Sequence, residues 1–133
     1  MSCKSALYAA LQTPTAVAID GVIPLGSLIR RYGCDIGLNG NAVNLSGAGY
    51  YDVDVSITVA PTAAGTVTAT LVKDGVAIPG ATASAAAAAG APTVLSFPAL
   101  VRQACCASGS ALTLVLSGAA ATVTNVALRV QRI

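Results

Sequence analysis

The sequence predicts an all-β domain of antiparallel strands, and three observations support this class. Apolar and polar residues alternate over several stretches with the two-residue period of a half-buried strand. Three Asx-Gly dipeptides stand between apolar runs, where they favour two-residue hairpin turns. Strand-like segments recur about every 8–12 residues, as in a sandwich or barrel. The length of 133 residues suits a single domain, 1–133.

The predicted strands are identified by alternation. The clearest lies at 51–59, where one face is apolar and the other carries Asp52 and Asp54. Residues 66–72 repeat the pattern with threonine on the polar face. Further strands are expected at 93–97, 111–116 and 122–131.

Asp20-Gly21, Asn39-Gly40 and Asp74-Gly75 are the predicted turns. Aspartate, asparagine and glycine tolerate the positive φ that both central positions of a type I′ turn need. The joined segments are 17–19 with 22–23, 36–38 with 42–45, and 66–72 with 76–78. Three such joints favour an antiparallel meander.

The alanine-rich stretch 81–89 has the highest helix propensity in the chain. However, Gly80 and Gly90 bracket it, and it has no amphipathic stripe. We therefore expect an extended segment or loop rather than a short helix.

Composition indicates a folded, non-enzymatic protein. Hydrophobic residues make up 55% of the chain and charged residues 9%, which excludes disorder. Histidine and glutamate are absent, so the commonest general base and a common raised-pKa acid are missing. A net charge of +2 is too small for the basic stripe that nucleic-acid binding needs. No cofactor is implied.

Location is predicted from the termini and from the apolar stretches. The first residues lack the apolar run of a signal peptide, so we expect synthesis in the cytoplasm. The long uncharged stretches are broken by proline or rich in Thr, Ser and Gly, so no membrane insertion is expected. Residues 1–5 are a candidate short N-terminal anchor.

Four cysteines, Cys3, Cys34, Cys105 and Cys106, show no Cys-x-x-Cys spacing. Two interpretations stay open: reduced, partly buried thiols in the cytoplasm, or oxidative cross-links formed after release. Any of the four is a candidate for a cross-link or anchor. Cys3 is the preferred intermolecular link because terminal segments are usually mobile.

Two pairs of charged residues are candidate sites. Asp52 and Asp54 project from one strand face, which could hold Ca²⁺ or act as a carboxylate pair, although a solvated face is the simpler interpretation. Asp20 and Asp35 are spare carboxylates. Arg30-Arg31 could bind an anionic sugar or a partner carboxylate, or form interchain salt bridges or a solvated rim.

Three tyrosines are a candidate carbohydrate-stacking platform: Tyr8, Tyr50 and Tyr51. Tyr51 shares the parity of the valines that follow it, so we expect it in the core instead.

Two motifs resemble a known superfamily. Gly49, Tyr51 and Val53 match a Gly-x-Tyr-x-Val strand start. The second motif is a hairpin of the form Leu-x-x-Asn/Asp-Gly-x-x-Ile-Pro-Gly, matched by Leu71, Asp74, Gly75, Ile78, Pro79 and Gly80. In these motifs the chain resembles the trimeric jelly rolls of the C1q and tumour-necrosis-factor-like superfamily, and the order of elements agrees from about residue 5 to the end.

The resemblance is greatest to the bacterial and phage branch, in particular to small surface proteins of prophages in gut Firmicutes. The chain is also similar to the C-terminal domain of the collagen-like spore-surface glycoprotein, but it has no Gly-X-Y segment. Aliphatic residues replace most core aromatics of animal C1q domains, so no ligand site is carried over.

The resemblance implies an antiparallel jelly-roll homotrimer without chemistry of its own. One implied function is a virion structural protein, a head fibre or capsid decoration that contacts a capsid or other particle protein at the virion surface. The alternative is a receptor- or glycan-binding tip, or a spore-surface domain.

Overall fold

The computed structural model describes residues 5–103 and 109–133, which form eleven β-strands. Among these residues, no helix has the length and apolarity that crossing a membrane requires. The strands are β1 (Ala6–Leu11), β2 (Thr15–Val17), β3 (Ser27–Tyr32), β4 (Ile36–Asn39), β5 (Ala42–Leu45), β6 (Gly49–Pro61), β7 (Gly65–Lys73), β8 (Val76–Ala87), β9 (Thr93–Gln103), β10 (Ser110–Ser117) and β11 (Ala121–Arg132).

The strands form two packed antiparallel sheets. The six-stranded sheet has the order β3-β1-β11-β6-β9, with β2 also paired to β11. The five-stranded sheet has the order β4-β5-β10-β7-β8. Neighbours in these sheets are mostly distant in sequence, so the predicted meander is wrong. The all-β sandwich itself is confirmed.

Strand alternation accounts for the core. In β6 the odd-numbered residues from Tyr51 to Pro61 are buried, while the side chains between them face outward. In β7, β10 and β11 the apolar residues of the alternation are likewise buried, and the residues between them are more exposed. Most of the largest fully buried side chains are aliphatic, and Tyr51 is the largest of all. The prediction that Tyr51 lies in the core is therefore confirmed.

Two of the three predicted hairpins are present. Asp74-Gly75 connects β7 to β8 with φ of 51° and 85°, as predicted. The β4–β5 hairpin is also present, but Asn39 still pairs with Ala42, so its two turn residues are Gly40 and Asn41 rather than Asn39 and Gly40. The Asp74 carboxylate also accepts a hydrogen bond of 2.9 Å from the Ala111 amide. That bond, together with one from the Ser110 side chain, lowers the pKa of Asp74 below its usual value.

The hairpin predicted at Asp20-Gly21 is wrong. Asp20 does take a positive φ of 64°, so a turn exists at this position. However, the residues before it pair with β11 in the six-stranded sheet, whereas Val22 bridges Val115 in the five-stranded sheet. The turn carries the chain from one sheet to the other, and the two segments that it joins pair with different strands.

Residues 81–87 are extended as part of β8, which agrees with the expectation for the alanine stretch. Pairing with β7 accounts for this, because sheet context overrides helix propensity. Alternation failed to predict β1 and β3. In β3 all six residues are exposed, so the strand shows no alternation of buried and exposed side chains that could be detected.

Replacing Gly26 with alanine should destabilise the fold strongly. Gly26 has a φ of +74°, and a Cβ there would lie 2.2 Å from the Ala10 carbonyl oxygen. We expect a loss of about 3 kcal/mol in the free energy of unfolding, from the left-handed conformation and the backbone clash together. Urea denaturation at one protein concentration measures it.

Gly40 is the matched control for this change. It has a φ of +61°, but nothing lies within 4 Å of an added Cβ. Its replacement by alanine should cost only about 1–2 kcal/mol. Equal losses in the two variants would contradict the role given to the close approach at Gly26.

Candidate assembly interface

The outer faces of the two sheets differ in chemistry. On the five-stranded sheet, hydroxyl groups pair across β7 and β8. Thr68 Oγ1 lies 3.0 Å from Ser84 Oγ, and Thr70 Oγ1 lies 3.2 Å from Thr82 Oγ1. These hydroxyl pairs make the β7–β8 part of this face polar, while Val72 and Val115 on β7 and β10 are half-buried apolar residues of the same face.

The outer face of the six-stranded sheet has a flat floor of small side chains. Ala10, Ala127, Ser56 and Ser96 lie side by side in one row across β1, β11, β6 and β9. The floor forms part of a shallow depression of ≈ 330 Å³ that is also lined by Tyr8, Asp54 and Arg129. Small residues on a flat sheet allow another surface to approach closely.

A second row across the same face carries charge. Arg129 of β11 stands between Tyr8 of β1 and Asp54 of β6. Its guanidinium forms an ion pair with Asp54 and lies 3.5 Å from the nearest Asp52 oxygen. The three side chains are 41–51% exposed, so these pairs stabilise the single chain by at most about 1 kcal/mol each.

Asp52 and Asp54 therefore project from one face, as predicted, but the guanidinium of Arg129 lies between their carboxylates. Sequence analysis missed Arg129, although its position in the alternation of 122–131 puts it on the polar face. Among the described residues, no group of three or more His, Cys, Asp or Glu side chains could hold a metal ion. Asp20 and Asp35 lie elsewhere, in the crossing turn and at one end of the sandwich.

Apolar side chains border this face on both edge strands. On β9, Val94 is 61% exposed and Leu100 58% exposed. On β3, Tyr32 is 60% exposed and lies beside Ala6, while Arg30 lies beside Tyr8. A single chain thus leaves apolar area in water at both edges of one flat face.

The predicted tyrosine platform is not formed. Tyr51 is buried, and its hydroxyl donates a 2.6 Å hydrogen bond to the Gly47 carbonyl oxygen. Tyr8 and Tyr50 lie on the same face but two strands apart and offset by four residues, a separation of roughly 16 Å. Arg31, next to Arg30, donates through Nε to the Ile36 carbonyl oxygen at 2.7 Å.

A polar cluster occupies the end of the sandwich where the first and last strands meet. We call Ser5, Asp35, Tyr51 and Arg132 the terminal cluster. Ser5 is buried, and its hydroxyl oxygen accepts 3.1 Å hydrogen bonds from the amides of residues 34 and 35. Asp35 forms an ion pair with Arg132, whose guanidinium also donates to the Ala48 carbonyl. Ser5 thus belongs to the folded domain, although the predicted anchor included it.

The terminal cluster is poorly solvated. The side chains of Arg132 and Asp35 are only 16% and 12% exposed. Burial raises the pKa of Tyr51, and the nearby Asp35 carboxylate adds to that effect. Sequence analysis classed Asp35 as a spare carboxylate because its partner is 97 residues away along the chain.

Cys34 lies next to this cluster and is disulfide-bonded. Cys3, Cys105 and Cys106 lie outside the described residues. The structure therefore contains the oxidised form of Cys34. Reduction in the cytoplasm, and an intermolecular link through Cys3, stay predictions.

The strand order identifies the architecture. The first and last strands are adjacent inside the six-stranded sheet, and connections pass repeatedly between the two sheets. The fold is a jelly roll of the C1q and tumour-necrosis-factor-like type. The Gly49 motif begins β6 of this jelly roll, and the Leu71 to Gly80 motif forms its β7–β8 hairpin.

Solved structures with this jelly roll cover nearly the whole chain. Murine APRIL matches with a TM-score of 0.73 and 12% identity, over 96% of this chain and 98% of that one. The globular domain of zebrafish complement 1qA protein matches with a TM-score of 0.74 and 9% identity, over 98% of both chains.

A viral protein shares the fold as well. The phage vertex protein P5 of PRD1 matches with a TM-score of 0.64 and 12% identity, over 97% of this chain and 73% of that one. No protein-family model and no curated protein matches the sequence. These identities show the jelly-roll fold, and function has to be inferred from the surface.

Proposed function

We propose that this chain is a non-enzymatic structural module of a phage virion. It forms a homotrimer through the outer face of the six-stranded sheet and is displayed on the particle surface as a head fibre or capsid decoration. The observation that carries the proposal is this face, with its Ala10, Ser56 and Ala127 floor and apolar edges.

Physical chemistry favours a second copy of the chain as the occupant of this face. A flat floor without long side chains can be covered closely, and the exposed Val94, Leu100 and Tyr32 gain by leaving water. The Arg129 guanidinium compensates the charge of Asp54 at its centre, which lowers the cost of desolvating that pair. The outer face of the other sheet, with its threonine and serine hydroxyl pairs, is left for solvent.

Display on a virion is supported by the shared fold of the phage vertex protein P5. The absence of histidine and glutamate supports a role without catalysis. The terminal cluster holds both ends of the domain together, so the residues before Ser5 would leave from one end of each subunit. They are the proposed anchor to a capsid or other particle protein.

The virion assignment is tested on purified particles. The tagged protein is added to phage particles that lack it, and the mixture is separated on a density gradient. We expect the tag to sediment with the particles, and a variant without residues 1–4 to remain at the top. Failure of the full chain to sediment, together with binding on a glycan array, would favour the alternative of a surface binding module.

A further inference from the structure

The two edges of the outer face of the six-stranded sheet differ, and a ring of three copies requires such a difference. In a closed three-fold ring, each copy presents one patch to the next copy and another to the previous one. The two patches must therefore fit each other in shape and charge. They are built around the two edge strands β3 and β9, which lie about 19 Å apart across four strand spacings.

The β3 edge consists of Tyr8, Arg30 and Tyr32. Arg30 is opposite Tyr8 in the register of β1 and β3, and both side chains are exposed. Tyr32 lies one row away on the same face and is 60% exposed. This edge offers aromatic surface and a positive charge for which the structure shows no ion pair within the described residues.

The β9 edge consists of Asp52, Pro98 and Leu100. Leu100 is opposite Asp52, and Pro98 is opposite Asp54. Arg129 contacts Asp54 closely but approaches Asp52 only to 3.5 Å, so Asp52 retains capacity to accept a stronger ion pair. Arg102, one row further along, forms no ion pair with Asp52 in the described part of the chain. This edge offers aliphatic surface beside a negative charge.

Pro98 also determines how the β9 edge can be covered. An edge strand normally invites another strand to extend the sheet through backbone hydrogen bonds. Proline has no amide hydrogen, and its presence in the middle of β9 disfavours that mode of pairing. The β9 edge is therefore suited to contact through side chains against a neighbouring face.

We propose that the β9 edge of one copy packs against the β3 edge of the next, and that Arg30 pairs with Asp52 across this contact. Leu100 and Pro98 then cover Tyr8 and Tyr32, which removes the exposed apolar area at both edges. This pairing rests on the proposed trimer, and it adds which edge of one copy contacts which edge of the next. Complementary charge favours this contact, since packing two identical edges on each other would oppose Arg30 to Arg30 or Asp52 to Asp52.

Charge reversal tests the pairing. Arg30→Asp and Asp52→Arg are each examined by light scattering over a range of concentrations, with circular dichroism to verify folding. Each places like charges across the contact, and we expect at least a roughly tenfold rise in the concentration at which the trimer dissociates. The double variant Arg30→Asp/Asp52→Arg restores opposite charges and should recover most of the affinity.

The double variant Thr68→Asp/Thr113→Asp is the matched control, because it lowers the net charge by two, as Arg30→Asp does, but lies on the outer face of the five-stranded sheet. We expect it to leave the trimer unchanged. The Arg30–Asp52 pairing is overturned if the trimer is equally stable in wild type and Arg30→Asp, or if the double variant Arg30→Asp/Asp52→Arg is weaker than both single variants. Either result leaves the proposed trimer itself standing. A monomeric wild type would overturn the proposed assembly, and the pairing with it.

Discussion

Replacing Ala127 with arginine should convert the proposed homotrimer into monomers. Ala127 lies in the middle of the small-residue floor, between Ala10 and Ser56. An arginine there holds a second subunit away from the floor, or is buried without a partner, which costs about 3–5 kcal/mol. That cost corresponds to a loss of affinity of roughly 100-fold or more. Light scattering should show the mass fall from near three chains to one chain of 13.0 kDa.

Thr113→Arg is the control for this prediction. Thr113 lies at the centre of the outer face of the five-stranded sheet, opposite Val72. The added side chain is the same, but that face is assigned to solvent, so the trimer should persist. If Ala127→Arg stayed trimeric while Thr113→Arg dissociated, the five-stranded sheet would be the interface instead.

Replacing Asp35 with asparagine should give the largest loss of stability from a single charge. The change removes the Asp35 carboxylate from its ion pair with the Arg132 guanidinium, which is only 16% exposed. Breaking a buried pair in this way costs about 3 kcal/mol, out of roughly 5–15 kcal/mol for a typical domain. Thermal unfolding should begin at the terminal cluster, with a midpoint roughly 10 °C lower.

Asp20→Asn removes one negative charge from an exposed turn and is the control. Asparagine tolerates the positive φ of 64° at this position, so the change should stay within about 0.5 kcal/mol. A double-mutant cycle with Arg132→Met isolates the ion pair, because coupled residues lose less together than the sum of their separate losses. Additive losses would show that the Asp35–Arg132 pair does not stabilise the chain.

The sequence by itself determined the class of the fold and the inner face of most strands. Alternation is local: it requires only that successive side chains point to opposite faces, so 51–59 and 66–72 were assigned correctly. The turn at Asp74-Gly75 was also predictable, because aspartate and glycine tolerate the positive φ that both positions take. The β4–β5 hairpin was predicted as well, but its turn lies one residue further on, at Gly40 and Asn41.

Only the tertiary structure decided which strands are neighbours. Asp20-Gly21 has the chemistry of a hairpin turn, yet its two flanking segments pair with different sheets. Strand β3 has no buried side chains to mark it in the sequence, and its pairing with β1 keeps it extended. Local residue preferences contain no information on such pairings, which depend on contacts between distant segments.

The candidate sites divide in the same way. Asp52 and Asp54 were placed on one outer face from sequence, but the cation between them, Arg129, is 75 residues from Asp54 along the chain. Arg132 reaches Asp35 across 97 residues. Sequence determines which side chains face outward, whereas the jelly-roll order of the strands determines which of them meet, because it brings the first and last strands together inside one sheet.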